Sequence, residues 1–166
     1  PALYPGLITN HHLMRMPSVI ALLAEWRTYG AAYAKATVAN AIALADALDE
    51  RGVPVLRTSQ GPTGSHTIII KTAPMGLDAG QVVRKLETGG ILTGTVSLPP
   101  EQGDGGIRLG VQEVTRMGLV IAQVGDLAQL IGDAIAETDG AASIEKRVRT
   151  FTQTLQEIRF CHGAAV

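Results

Sequence analysis

Gly106-Ile107-Arg108-Leu109-Gly110-Val111-Gln112-Glu113-Val114-Thr115-Arg116-Met117-Gly118 reads as a strand that carries an arginine inside an apolar run and leads into a helix-like run with a second arginine. A buried guanidinium is costly unless it is paired. Arg108 is therefore either paired with an internal carboxylate or held ready for an anionic ligand, and its planar fork suits the carboxylate of an amino acid.

Outward from that strand, the chain alternates helical and β-branched segments. Residues 1–12 read as a loop with Pro5, Gly6 and Asn10 as turn residues. From Leu13 to Asp49 the pattern is helical and rich in alanine and leucine. Pro17 opens that helix, and Gly30 marks a bend or a junction of two helices. Met16, Val19, Ile20 and Leu23 form an apolar stripe expected to be buried, and a pattern this long should pack on another domain or subunit. Trp26, Tyr29 and Tyr33 read as packing residues. Arg51-Gly52 closes the helix.

Strands are expected at Val53–Leu56, Ser65–Lys71, Ile91–Leu98 and Ile107–Val111. Helices are expected at Asp78–Thr88, with Val82, Val83 and Leu86 inward, and at Leu119–Thr138. A last amphipathic helix is expected at Ala141–Phe160, with Val148, Phe151, Leu155 and Ile158 on one face. The plan is α/β, a small α+β layer with a long N-terminal helical arm.

Composition narrows the function. With 166 residues and 46 % hydrophobic content, the chain has material for one ordinary core. A net charge of −1 gives no electrostatic case for nucleic acid or an anionic membrane. Cys161 is the single cysteine, so no intrachain disulfide forms, and a cytoplasmic setting fits. The tandem His11-His12 has no carboxylate or cysteine cluster beside it, so no metal site is expected.

Gly-Ile-Arg-Leu-Gly followed by Thr115-Arg116-Met117-Gly118 resembles the C-terminal signature of serine hydroxymethyltransferases and the related threonine and fluorothreonine transaldolases. Other pieces follow in the family's order. Pro5-Gly6-Leu7 is similar to its Phe-Pro-Gly turn. Tyr33-Ala34-Lys35, Asn40-Ala41 and Leu44-Ala45 are similar to its inter-domain helix. Ser65-His66 before Thr67-Ile68-Ile69-Ile70 resembles its first small-domain strand, and Gly90-Ile91 and Leu98-Pro99 come next. The resemblance implies the C-terminal small domain of a fold-type I pyridoxal-phosphate enzyme. Residues 1–50 would be a loop and long helix packed on the large cofactor domain, and residues 51–166 the small αβ domain.

By this resemblance Arg108 binds the substrate carboxylate, and the chain holds no catalytic residue of its own. Thr9 and Asn10 stand where the family carries paired glycines whose amides approach the cofactor phosphate, and His12 lies near the same turn. These three are the expected cofactor-binding residues. Arg116 either supports the Arg108 strand or makes a cap or ion pair at a helix start. His66 reads as a satisfied core histidine, and Glu113 as a first-turn helix acid. Lys35, Lys71, Lys85 and Lys146 are the only lysines, none in the family's Thr-rich lysine motif, and they read as solvated surface groups.

The Schiff-base lysine is thus expected on a complementary chain, with pyridoxal 5′-phosphate shared between the two in a hetero-oligomer. The chain would be a fragment or one subunit of a split enzyme. The family's folate-contacting asparagine run is replaced by Gly94-Thr95-Val96-Ser97 before Leu98-Pro99, which removes amide donors and acceptors. The expected activity is therefore a transaldolase-like cleavage and formation of β-hydroxy-α-amino acids that passes glycine between aldehydes without tetrahydrofolate. Two alternatives stand: a folate-dependent serine or α-methylserine hydroxymethyltransferase, and a non-catalytic regulatory subunit of such an enzyme.

Overall fold

The arginine-bearing strand is the middle of a three-stranded antiparallel sheet in the computed structural model, which describes residues 12–103 and 105–163. Strand β3 (Gly106–Gly110) lies between β1 (Thr67–Lys71) and the short edge strand β2 (Gly94–Val96). Directly opposed residues share a face, so the register places Ile69, Arg108 and Gly94 side by side. The other face carries Ile68, Ile70, Ile107 and Leu109, all buried. Burying each such side chain fully is worth about 1.5–3 kcal/mol.

Helices cover that apolar face. Helix α1 (Met16–Asp49) is continuous through Gly30, with no junction. Gly30 serves a close approach: a Cβ there would stand 3.1 Å from the Trp26 ring. Thr37, Asn40, Ala41, Leu44, Ala45 and Leu48 bury one stripe of its C-terminal half. Gly52, at φ +77°, turns the chain out of the helix, and the Val53 N–H returns to the Leu48 carbonyl at 3.0 Å. Helix α2 (Ala79–Thr88) begins with a reciprocal Asp78–Gln81 capping box, and Val82 and Leu86 point inward. A short helix α3 (Gln112–Arg116) follows β3 directly. Helix α4 (Ile121–Ala136) packs along α1, with Val124, Ala128, Ile131 and Ile135 buried. Helix α5 (Ala141–Thr152) inserts Ile144. One buried cluster joins α1, the sheet, α2, α4 and α5, so the second half of α1 belongs to the same core as residues beyond 50.

Several expectations change. Met16, Val19, Ile20 and Leu23 are 43–66 % exposed, so the stripe is not buried within this chain. Residues Val53–Leu56 contribute only an isolated bridge, Val55 to Ile70, where a strand is expected. Helix α5 stops at Thr152; Leu155 is buried from the turn that follows, and Ile158 is 58 % exposed. No described helix is long and apolar enough to cross a membrane.

Candidate functional site

Arg108 sits at the centre of β3, and its neighbours explain its direction. Alternation along Ile107-Arg108-Leu109 sends the two apolar side chains into the core and the guanidinium to the open face. The expectation of a buried arginine is thus corrected: Arg108 is exposed. Among the described residues no carboxylate pairs with it within 4.0 Å, so the internal ion pair is not made. Its backbone is well fixed. The Arg108 carbonyl accepts from the Thr93 hydroxyl at 2.6 Å, and strands pair on both sides.

The segment after β3 is tied to α1 at three points. The Tyr33 hydroxyl donates to the Gln112 carbonyl at 2.8 Å. Asn40, almost fully buried, donates from Nδ2 to the Thr115 hydroxyl at 3.1 Å and to the Leu119 carbonyl at 3.0 Å. Arg116 pairs with Glu25 at 2.9 Å, which holds the Glu25 carboxyl below its ordinary range and raises the guanidinium above its own. Of the two readings of Arg116, the ion pair is the one realised, but at the end of α3 and not at a helix start.

Thr9 and Asn10 lie outside the described residues. His12 caps a single 3-10 turn, Leu13–Arg15, through its carbonyl, while its exposed imidazole makes no capping hydrogen bond. His66 is exposed and not a core histidine; its backbone carbonyl accepts from the Val111 N–H at 3.2 Å. Glu113 occupies the first turn of α3. Lys85 departs from a solvated surface group: it pairs with Glu137 at 2.9 Å and donates to the Ile135 carbonyl at 3.1 Å. Reading the sequence alone misses the anchoring roles of Tyr33 and Asn40, because the partners of both lie more than 70 residues away.

The cavities lie elsewhere. One of about 620 Å³ is lined by Arg84, Lys85, Glu137 and Gly140. A smaller apolar one of about 190 Å³ lies under β3 among Leu44, Leu109, Val148 and Phe151. Arg108 lines neither, and stands instead on an open sheet face.

No family model matches the chain. Over 170 residues it is 36 % identical to a serine hydroxymethyltransferase of Methanopyrus kandleri, covering 99 % of this chain and 40 % of that protein. It is 34 % identical over 167 residues to the serine hydroxymethyltransferase of Pyrococcus furiosus, covering 96 % and 39 %. The crystal structure of an L-threonine transaldolase from Pseudomonas fluorescens superposes with a TM-score of 0.85 at 28 % identity, covering 96 % of this chain and 37 % of that one. The chain spans about two-fifths of the length of the relatives it matches. By sequence along nearly its whole length and by fold, it is a serine hydroxymethyltransferase-like, fold-type I C-terminal part.

Proposed function

We propose that this chain supplies the amino-acid carboxylate site of a pyridoxal-phosphate enzyme acting on β-hydroxy-α-amino acids, and that Arg108 is the carboxylate-binding residue. The observation that carries the reading is an arginine on the central strand, exposed and without a carboxylate partner among the described residues. A guanidinium so placed offers two parallel N–H groups to a carboxylate. The strand fixes where the carboxylate sits, which orients the bond to be broken.

The cofactor-binding set is Thr9, Asn10 and His12. Of these only His12 is described, and its exposed imidazole, free of a capping hydrogen bond, is compatible with a phosphate. When bound, pyridoxal phosphate supplies the electron withdrawal that the reaction needs. The Schiff-base lysine comes from a complementary chain in a hetero-oligomer, and the enzyme is cytoplasmic in this reading. Within the family the activity is transaldolase-like, glycyl transfer between aldehydes. Val96, half-buried on β2, supports independence from tetrahydrofolate because it offers no side-chain donor or acceptor.

The test is Arg108→Lys in the complete enzyme that contains this chain. Lysine keeps the charge but cannot make the paired hydrogen bonds, so amino-acid affinity should fall roughly ten- to a hundred-fold with the cofactor still bound. Unchanged binding in a folded variant defeats the reading. A folate-using hydroxymethyltransferase is the second reading, favoured by the names of the relatives at 32–36 % identity. Turnover of threonine with an acceptor aldehyde, with and without tetrahydrofolate, separates the two.

A further inference from the structure

We infer that Gln112 is a second substrate-binding residue, whose carboxamide stands beside Arg108 and donates to the substrate carboxylate. The inference rests on the reading of Arg108 as the carboxylate site and adds a residue to it. Gly110 is two residues along β3 from Arg108, so both share the open face, about 6.6 Å apart along the strand. A Cβ on Gly110 would stand 2.6 Å from Gln112 Oε1 and 3.3 Å from Nε2. The carboxamide of Gln112 therefore lies folded over Gly110, in the space that a side chain on the Arg108 face would fill.

Three further features mark this as a placed group. Gly94, paired directly with Arg108, carries no side chain, and a Cβ there would meet nothing within 4 Å, so the face is open on that side. Gln112 is exposed, and its carboxamide makes no hydrogen bond to another described residue, so its two N–H donors are uncommitted. Its backbone is held, since the Gln112 carbonyl accepts from Tyr33 on α1. A carboxylate has about four acceptor positions, and a guanidinium fork uses two of them. A neutral donor beside the arginine takes a third without adding charge. An acid at the same position would instead pair with Arg108 and repel the ligand.

The experiment measures dissociation constants for glycine and for glycinamide, which lacks the carboxylate charge, by titration calorimetry on the complete enzyme. Gln112→Met keeps the length and removes the donor; glycine affinity should fall on the order of ten-fold. Gln112→Glu should weaken glycine further while sparing glycinamide, which a merely structural role does not do. Gly110→Ala should displace the carboxamide and reproduce the Gln112→Met loss, yet add nothing in a Gln112→Ala background. Arg108→Lys is measured in parallel. If it weakens glycine but the folded Gln112 variants bind as the parent does, this inference falls and the Arg108 site stands. If Arg108→Lys also leaves glycine binding unchanged, both fall.

Discussion

The guanidinium of Arg116 lies 2.9 Å from the carboxylate of Glu25, joining residues 91 positions apart. Glu25 is four-fifths covered and Arg116 nearly two-thirds. The second Glu25 oxygen accepts from the His162 N–H at 3.3 Å, and the Arg159 N–H donates to the Arg116 carbonyl at 2.7 Å. Beside them Phe160, held at φ 60°, packs on Tyr33 with ring centroids 5.4 Å apart. One ion pair thus gathers the end of the site motif, the free half of α1 and the C-terminal segment.

That pair sets a pH dependence. The hydrogen bond from Arg116 lowers the Glu25 carboxyl from its ordinary value of about 4.5. A group lowered by folding contributes stability that is complete above the ordinary value and lost as pH falls through the folded one. Native chain and Glu25→Gln should therefore melt apart near neutral pH and converge well below 4.5. A gap that persists in acid would show that the carboxylate charge is not its source.

Asn40 should be costly to replace. Asn40→Leu leaves the Leu119 carbonyl without its buried donor, while the Thr115 hydroxyl keeps its bond to the Val111 carbonyl at 2.7 Å. The expected loss is about 1–3 kcal/mol for the group left unsatisfied. Denaturant unfolding measures it, and a loss well under 1 kcal/mol would mean that water replaces the amide.

The free half of α1 should drive association. Met16, Ile20 and Leu23 are 47, 66 and 58 % exposed, beside Trp26 at 55 %. A contiguous apolar patch of this kind marks an interaction surface. Light scattering of the chain alone should show concentration-dependent association, and co-expression with the complementary half should yield a hetero-oligomer. Ile20→Lys with Leu23→Lys should remove both without lowering the melting temperature, because neither side chain touches the core cluster.

The chain alone should not bind pyridoxal phosphate covalently. Lys85 is committed to Glu137 and the Ile135 carbonyl, and Lys35 and Lys146 are exposed on helices. Absorbance titration should show no stoichiometric lysine-linked band. Its appearance, and its loss on replacing one of the four lysines, would assign the lysine here.

What the sequence determined by itself was local. Repeats of three and four residues set α1, α2 and α4, Asp78 and Gly52 set helix ends, and the Arg108 motif set the family likeness. Period-two alternation was also present: Gly106, Arg108 and Gly110 fall on one face of β3, Ile107 and Leu109 on the other. Alternation does not say which faces are covered. The packing of α1 and α2 on one side of the sheet decided that Arg108 would be exposed. Tertiary structure alone chose Glu25 as the partner of Arg116, gave Tyr33 the Gln112 carbonyl, and left the first half of α1 without a covering layer. Side-chain periodicity depends on neighbours a few residues apart, whereas these contacts join groups 79 and 91 residues apart, which only the folded path of the chain brings within reach.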